Sequence, residues 1–528
     1  MKGAEPLKEI KSEGRVYTPD YIIEKILDEA EYFGETIINK TVLEPSFGDG
    51  RFIKAIISRL IFECRKKNFT NQEIARQIEN NIYGIEINSD TYKEAKDSII
   101  KFIYEQIEIY ADINLYREDT LTVYKSHIGH FDYIVGNPPY VRIHNINDKT
   151  ALKEFYFASK SSGDLYLAFF EAGIKMLKPT TGRLVFITPS TWMYNKAGSV
   201  MREYITGWPI LSKVIDFGHK QIFKGYTTYT SITVIDLNTR GKFLEYEYEN
   251  EIITKKYEDI ILGDRFCFTS LNKIKKYREI EDISTNCLCK VKNGYATLAD
   301  TFFINNFDMP KNSHTIFVYK CSTGDKKECF YPYDKEGNII PENEIEKDKD
   351  LYNYLINNKE ALETRSLDNK RNWYGFGRSQ AIKDTYTDKI AVNQIVKEVG
   401  DIKLTECPAG TGIYSGLYLI TKYNKKEISD ILNSEDFFCY IKDTGIKKSG
   451  GYYSFSSGQL EKYLNYSLLL KELTENKIIY TKYLDELEPI KILTKDKDIY
   501  GYNFYCETED GCEVQFRLKD IGNNILFN

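Results

Sequence analysis

Short apolar runs rich in β-branched residues alternate with amphipathic segments from about residue 40 to about residue 240, and this alternation constrains the fold more than any other feature. TVLEPSFG is typical of a strand, and RFIKAIISRLIFECRKK is typical of a helix with apolar residues at helical spacing. NIYGIEIN and SDTYKEAKDSIIKFIYEQI repeat the pair, with Ser89 or Asp90 as the predicted helix cap. The alternation predicts an α/β fold, in which a mainly parallel, doubly wound, Rossmann-like sheet carries helices on both faces.

The alternation is lost after about residue 240. Short mixed segments follow, with polar insertions such as NEIEKDKDLYNYLINNK and glycine clusters such as CPAGTGIYSG. A chain of 528 residues is long enough for more than one domain. We therefore predict an α/β domain over residues 1–240 and an irregular α+β domain with long loops over residues 241–528.

Composition excludes several classes of protein. The net charge of −6 argues against a wholly basic nucleic-acid coat, although a local basic surface can still bind phosphates. The sequence predicts no secretion, because its N-terminus carries no apolar h-region, and no membrane span, because no apolar run of about 18 residues occurs. It therefore favours a cytoplasmic location. Cys287, Cys289, Cys321 and Cys329 lack the paired C-x₂-C spacing of zinc ligands, so we predict free thiols and no metal.

The segment LEPSFGDGRF has the form of a first strand, a glycine-bearing turn and the start of a helix. Gly48 and Gly50 allow close approach of the backbone to a ligand. Acids stand at the ends of the first three predicted strands, at Glu44, Glu86 and Asp119, where they would repel a phosphate-bearing nucleotide. The sequence also has no P-loop Lys-Ser/Thr pair.

A cationic adenosine such as S-adenosylmethionine therefore fits better as the cofactor. Glu86 can hold ribose hydroxyls, Asp119 can accept from an exocyclic amine, and Ile87 can pack on an adenine face. The alternative is that each of these acids is an ordinary cap at a strand end.

The stretch VGNPPY, residues 135–140, ends an apolar run that is typical of a buried strand. Proline lacks the N–H that a strand ladder needs, so the strand ends here and Asn137 can project beyond its tip. An amide, two prolines and a phenol ring at such a position indicate a functional site.

In the order VYTPDYIIEKIL, LEPSFGDGRF, GIEIN, EDTL and FDYIVGNPPY, the chain resembles the adenine-N6 DNA methyltransferases. With the cofactor motifs first and a recognition region last, it looks like the gamma class found in bacterial type II restriction-modification systems. The resemblance is close over roughly the first 240 residues and looser beyond, through NGYATLADTFFI, WYGFGRSQAI and GGYYSFSSGQL. It implies an S-adenosylmethionine-dependent methyltransferase domain over residues 1–240 and a DNA target-recognition domain over residues 241–528.

The resemblance also implies roles for individual residues. The catalytic residues would be Asn137, Pro138, Pro139 and Tyr140, and Phe223, from KQIFKGYTTYTSITVI, would stack on the target base opposite Tyr140. Thr18 would bind the methionine carboxylate end of the cofactor. Phe47 departs from the Cys of many relatives at a tolerant position. The full cofactor-binding set would be Tyr17, Thr18, Glu44, Pro45, Ser46, Gly48, Gly50, Glu86, Ile87, Asp119, Thr120 and Asn137.

NPPY suits methylation of an exocyclic amine. If the Asn137 side-chain oxygen and the Pro138 carbonyl each accept one N–H of the amine, the nitrogen is pulled toward tetrahedral geometry and its lone pair points at the methyl group. The base must be flipped out of the duplex to reach this site, and Tyr140 and Phe223 would stack on its two faces.

Basic and aromatic residues of the second domain are candidates for DNA contact, since they can bind phosphates and base edges. The alternative is that these basic residues lie in ordinary solvent-exposed loops and contact no DNA. The predicted DNA-binding residues are Arg371, Trp373, Arg378, Ser379, Gln380, Lys447 and Lys448.

Other interpretations stay open at this point. Peptide glutamine methyltransferases share the NPPY tetrapeptide but are shorter, and RNA methylation at an exocyclic amine is poorly separated from DNA methylation by sequence patterns. A cytosine-N4 target is disfavoured because those enzymes usually carry Ser in place of Asn137. A nuclease activity has no room ahead of YTP near residue 17 and no clear metal motif downstream, and a non-catalytic DNA-binding relative is the remaining alternative. The predicted partners are double-stranded DNA and a cognate restriction endonuclease, with no membrane, and the chain is predicted to be a monomer.

Overall fold

The computed structural model describes residues 17–526 except positions 147, 160–162, 224–227, 239–240, 242, 249–250, 284–287, 368–371, 476–477, 484–485, 499–500, 509–512 and 518–524, and beyond residue 472 it describes the backbone. The chain separates into two compact units, Met1–Thr269 and Ser270–Asn528. None of the helices in this described part is long and apolar enough to cross a membrane.

The first unit is built on one nine-stranded sheet with the strand order β3-β2-β1-β4-β5-β7-β6-β8-β9. Its strands are β1 Val42–Glu44, β2 Ile82–Ile85, β3 Asn114–Tyr116, β4 Tyr133–Gly136, β5 Arg183–Pro189, β6 Leu211–Asp216, β7 Thr230–Asp236, β8 Phe243–Tyr248 and β9 Glu251–Lys256. Strands β1 to β5 pair in parallel, whereas β7 runs antiparallel to both β5 and β6. The chain leaves β1 toward β2 and returns on its other side as β4, so the strand order reverses between β1 and β4.

Helices cover both faces of this sheet. The helices of the first unit are Asp20–Glu29, Arg51–Lys66, Asn71–Asn81, Ser89–Ile107, Thr120–Val123, Tyr166–Met176 and Ser199–Gly207, and a short hairpin of β10 Ile261–Leu262 and β11 Arg265–Phe266 follows β9. Alternate residues of one strand belong to different cores: Leu184 and Phe186 pack with the helix Tyr166–Met176, whereas Val185 and Ile187 share a core with the helix Asp20–Glu29. The predicted α/β fold with helices on both faces is thereby confirmed.

Two local differences from the sequence prediction concern helix starts. Asn88, rather than Ser89 or Asp90, caps the helix Ser89–Ile107, because its side-chain oxygen accepts the N–H groups of Asp90 and Thr91. The helix Asn71–Asn81 was not predicted, although Thr70 and Glu73 form a capping box at its start.

The sheet also continues past the domain boundary that the sequence predicts at residue 240. Strand β8 pairs in parallel with β6, and β9 pairs antiparallel with β8, so both belong to the first unit. The assignment of functions to the two units stays a prediction.

The second unit is an irregular α+β assembly of small sheets with an aromatic core that includes Tyr295, Phe303, Phe330, Tyr331 and Phe376. Its strands are β12 Cys289–Asn293, β13 Thr315–Lys320, β14 Lys326–Phe330, β15 Lys389–Val392, β16 Ile395–Val396, β17 Leu404–Cys407, β18 Thr411–Tyr414, β19 Leu417–Thr421, β20 Ile446–Lys448, β21 Tyr452–Ser454, β22 Ile478–Tyr483, β23 Glu486–Asp498, β24 Gly501–Thr508, β25 Glu513–Arg517 and β26 Ile525–Leu526. Its helices are Leu271–Asp282, Asp300–Phe303, Glu342–Ile345, Lys349–Asn357, Lys359–Glu363, Lys425–Leu432, Glu435–Thr444 and Ser457–Glu475.

Candidate active site

A cavity of about 1020 Å³ lies in the first unit where β1, β2, β3 and β4 end. Parallel strands bring their carboxyl ends to one sheet edge, and ligands of open α/β sheets bind there at the point where strand order reverses. The predicted site residues that line the cavity are Tyr17, Thr18, Glu44, Pro45, Ser46, Gly48, Glu86, Ile87, Asp119, Thr120, Asn137 and Pro139.

The turn after β1 needs glycine at two positions. Gly48 has φ +50° and Gly50 has φ +80°, both in the left-handed region that side chains disfavour. A Cβ atom on Gly50 would also lie 2.7 Å from Ile99 Cδ1. Gly50 does not line the cavity, so its role is to form the turn that starts the helix Arg51–Lys66.

Glu44, the last residue of β1, is a buried acid facing the cavity. Burial, and secondarily the charges of Asp49 and Glu86, raise the pKa of Glu44 well above its ordinary value. Its Oε2 atom has no hydrogen-bond partner among the described residues. A buried carboxyl group with an unsatisfied oxygen is costly unless a ligand completes its interactions, and a cation is the ligand that such a group prefers.

Glu86 and Ile87 follow β2. The backbone N–H groups of Gly48 and Asn88 donate to the two Glu86 carboxylate oxygens, at 3.1 and 2.8 Å, which fixes the side chain against the turn after β1. Ile87 lines the cavity with 67% of its surface exposed. An acid and an exposed apolar side chain thus lie side by side on the cavity wall.

Asp119 and Thr120 follow β3. Asp119 caps the short helix Thr120–Val123, because its Oδ1 accepts the Leu121 N–H at 2.9 Å. The buried Thr120 hydroxyl donates to the Pro45 carbonyl and so ties this loop to the turn after β1. One oxygen of Asp119 therefore acts as an ordinary helix cap, as the alternative interpretation predicts. Thr120 lines the cavity, but its hydroxyl hydrogen is already donated to Pro45.

Strand β4 ends at Gly136, whose φ of +154° lies in the region that favours glycine. A Cβ atom there would lie 3.4 Å from Glu44 Cγ, so NPPY begins close to the turn after β1. The next residue, Asn137, donates through Nδ2 to the Thr18 hydroxyl at 3.1 Å. The sequence segments YTP and NPPY, which are separated by more than a hundred positions, therefore meet at the cavity.

Tyr140 and Phe223 also come together. The Tyr140 hydroxyl donates to the Ile187 carbonyl at 3.1 Å, and burial raises its pKa. The two rings meet edge to face, with centroids 6.2 Å apart and planes at 71°. Phe223 is 3% exposed, so a base could enter between the rings only after they become parallel and separate to roughly 7 Å, twice the rise of stacked bases.

Several cavity residues were not predicted from the sequence. The loop after NPPY contributes one part of the wall through Val141, Ile146, Asp148 and the segment 150–152. Lys125 and Glu154 add an ion pair with a 2.6 Å separation. The loop has no apolar periodicity that could have indicated its position. The remaining unpredicted lining residues are Ile23, Phe47, Asp49, Arg51, Phe52, Asn88, Thr91, Glu118, Leu121, Thr122, Leu165 and Phe169.

The predicted DNA-binding residues of the second unit stand on two sequence segments and differ in burial. Trp373 is 4% exposed and packs in the aromatic core, which corrects the prediction that it contacts DNA. Arg378 donates to the Ser366 and Gly377 carbonyls, and Gln380 donates to the Gly294 carbonyl at 2.8 Å. Ser379 and Gln380 are exposed, and Arg371 lies outside the described residues.

Lys447 and Lys448 lie in a hairpin formed by β20 and β21, whose turn contains Gly450 and Gly451 at φ +81°. Lys448 pairs with Tyr452, which is 40% exposed, and Lys447 pairs with the buried Tyr453. Because side chains alternate along a strand, Lys448 and Tyr452 share the exposed face. Lys397 lies beside them, with Nζ 5.4 Å from the Tyr452 ring centroid.

Comparison with known proteins relates the chain to restriction-modification enzymes. The Eco57I restriction-modification methylase family matches residues 53–223, a range that includes NPPY and Phe223. The type II methyltransferase M.BstVI of Geobacillus stearothermophilus is 25% identical over 418 residues, which cover 68% of this chain and 72% of that protein. These matches support a type II restriction-modification methyltransferase.

A second relative of this methyltransferase is the type II restriction enzyme and methyltransferase RM.Eco57I of Escherichia coli, 27% identical over 318 residues. The match covers 49% of this chain but only 32% of that protein. Among solved structures, the type IIL restriction-modification enzyme MmeI in complex with DNA has a TM-score of 0.61 at 14% identity and covers 89% of this chain and 73% of that one. At this identity the likeness shows the fold alone.

Proposed function

We propose that this methyltransferase transfers the methyl group of S-adenosylmethionine to the exocyclic N6 of adenine at specific sites in double-stranded DNA. The observation that carries the proposal is the convergence of NPPY with an acidic cavity at the point where the strand order reverses. The kinship with type II methyltransferases supports the reaction class.

The cavity fits a cofactor that is cationic at one end and adenosine at the other. Glu44, with its unsatisfied buried oxygen, suits a positive group, and Thr18, whose hydroxyl accepts from Asn137, lines the same cavity. Glu86 would hold the ribose hydroxyls, and Ile87 and Asp119 would flank the adenine. When bound, S-adenosylmethionine supplies a methyl group attached to a positively charged sulfur. The sulfur is a good leaving group because it departs as a neutral thioether.

Asn137 and Pro138 would hold the amine of the target base. The Asn137 side-chain oxygen and the Pro138 carbonyl would each accept one N–H, which directs the nitrogen lone pair and stabilises the positive charge that develops on it. Two neighbouring prolines restrict the backbone that carries these acceptors. The reaction then depends on position and electrostatics rather than on a side chain with a tuned pKa.

Tyr140 and Phe223 would receive the flipped base. Stacking on aromatic rings contributes roughly 1–3 kcal/mol per base, which offsets part of the cost of unpairing. Their edge-to-face contact in this structure means that the base must also part the two rings.

The second unit would select the DNA site. Lys448 and Lys397 with Tyr452 offer a basic and aromatic surface of the kind that binds a sugar-phosphate backbone, and Ser379 and Gln380 are exposed groups able to read base edges. We further propose that the chain acts as a monomer in the cytoplasm, where its DNA substrate lies, and that a cognate restriction endonuclease acts at the same site.

The test is to incubate the purified chain with S-adenosylmethionine carrying a labelled methyl group and unmethylated duplex DNA of mixed sequence, and to identify the labelled nucleoside after digestion. The expected result is label on N6-methyladenine alone. Label on N4-methylcytosine, on RNA or on a protein glutamine in parallel reactions would replace the proposed substrate. No transfer to any of them, with DNA binding retained, would favour a non-catalytic role.

A further inference from the structure

The cavity wall of the first unit is strongly acidic. Among the described residues that line it, the cationic side chains are Arg51 and Lys125. The lining carboxylic acids are Glu44, Asp49, Glu86, Glu118, Asp119, Asp148 and Glu154. An anionic group of a ligand is therefore best placed beside one of these two cations, since a carboxylate among carboxylates is electrostatically disfavoured.

The two cations belong to different parts of the wall. Lys125 lies on the loop after β3, where its Nζ is 2.6 Å from Glu154, and the hydrogen bond to Glu154 raises its pKa. Arg51 is the first residue of the helix that follows the glycine turn. Its guanidinium carbon lies 5.7 Å from the ring centroid of Tyr17, the residue before Thr18, whose hydroxyl accepts from Asn137.

Arg51 can serve a ligand without losing its present partner. Its Nε lies 2.9 Å from Asp49 Oδ2, and a guanidinium has four further N–H groups on its terminal nitrogens. The side chain is 48% exposed, and it is oriented by the ion pair with Asp49 and by the Tyr17 ring near its guanidinium. A planar donor group oriented in this way is suited to a carboxylate, whereas a lysine would act only as a point charge.

We infer that Arg51 binds the carboxylate of the amino acid moiety of S-adenosylmethionine, as the cation that offsets the acidic wall at the end of the cavity where Thr18 and Glu44 lie. The inference rests on the proposed function and adds to it a residue for which the sequence indicated no role. It also separates two tasks: the acids would favour the cationic centres of the ligand, and Arg51 would favour its one anion.

The test compares the binding of two ligands by isothermal titration calorimetry, so no turnover is needed. S-adenosylmethionine has the carboxylate, and decarboxylated S-adenosylmethionine lacks it while it retains the ammonium and sulfonium groups. Arg51→Gln should weaken binding of the first ligand about tenfold and of the second less than about twofold. Lys125→Gln is the matched control, because it removes the other lining cation and should not distinguish the two ligands.

The outcomes separate the inference from the proposed function. Normal binding of S-adenosylmethionine by the unmodified chain, with equal losses for both ligands in Arg51→Gln, overturns the inference alone. Absence of any binding by the unmodified chain overturns both. Arg51→Lys should recover part of the lost affinity, and unchanged thermal melting of the variants would show that the losses are not due to unfolding.

Discussion

The residues that the sequence predicts for chemistry in the first unit line one cavity, whereas those predicted for DNA contact in the second unit stand on different elements and include a core residue. Thr18, Glu44, Glu86, Asp119 and Asn137 line one cavity. In the second unit, by contrast, Trp373 is a core residue, and Lys448 lies in the hairpin formed by β20 and β21. The difference follows from architecture, because a parallel sheet brings successive strand ends to one edge and an irregular α+β unit has no such rule.

The largest effect is expected for Asn137→Ala. Removal of a proposed amine acceptor should lower methyl transfer by at least about 100-fold, since preorganised polar groups at a reacting centre have effects of this size. Binding of S-adenosylmethionine should change little. Asn71→Ala, on an exposed helix start, is the control for the measured transfer rate. An Asn137→Ala variant with most of its turnover intact would remove this residue from the mechanism.

Phe223→Leu tests whether the pair of rings acts on the flipped base or only fills the core. Leucine keeps the apolar packing and loses the stacking surface, so turnover on duplex DNA should fall roughly 5- to 100-fold with cofactor affinity unchanged. The defect should shrink on DNA in which the target adenine is mispaired, because less unpairing energy is then required. An equal defect on both DNAs would assign Phe223 a packing role.

Glu44→Gln should weaken S-adenosylmethionine binding about tenfold and yet stabilise the cofactor-free protein at neutral pH. The pKa of Glu44 is raised above its ordinary value of 4.5 in the folded state, so the folded chain binds this proton more tightly than the unfolded chain. Stability is therefore lost as pH rises above 4.5 toward the folded-state pKa, and the glutamine avoids that loss.

Thermal melting between about pH 5 and pH 8 measures this effect. The gain in melting temperature of Glu44→Gln over the unmodified chain should grow as pH rises. Glu73→Gln should show no such pH dependence in this range, because hydrogen bonds from Thr70 lower the pKa of Glu73 and its contribution is lost only as pH falls below 4.5. A Glu44→Gln variant that is less stable at every pH would contradict the account of the unsatisfied carboxyl group.

The smallest effects are expected in the second unit. Lys397→Gln and Lys448→Gln should each reduce the slope of log affinity for DNA against log salt concentration by about 1, with similar losses for all DNA sequences. Trp373→Leu should lower the free energy of unfolding by a few kcal/mol and leave the salt slope unchanged, because the indole is in the core. Unchanged salt slopes in both lysine variants would remove the hairpin from the DNA-binding surface.

What could be predicted from the sequence depended on how local the signal was. The strands, the glycine turn and NPPY can each be recognised from a short stretch of sequence. The parallel sheet then brings the carboxyl ends of these strands to one edge. Arg51 stands inside the quoted segment GDGRF, but its meaning depends on how acidic the assembled wall is, and that requires the fold. The wall segment 150–152 has no periodicity to place it.

The errors have physical causes as well. Asn88, Ser89 and Asp90 are all good helix caps, so composition could not choose among them, and the side-chain hydrogen bonds decide for Asn88. Trp373 stands among Arg, Ser and Gln in sequence and resembles a surface residue there. The aromatic core of the second unit, which forms from distant segments, determines its burial.

The most direct measurement of the central claim is single-molecule sequencing of the genome of a methylation-deficient bacterial host that expresses either the unmodified chain or Asn137→Ala. The account predicts N6-methyladenine at essentially every occurrence of one short sequence with the unmodified chain, and none above background with Asn137→Ala. Modified cytosine instead of adenine, modified adenines that share no sequence, or equal methylation in both strains would contradict the account.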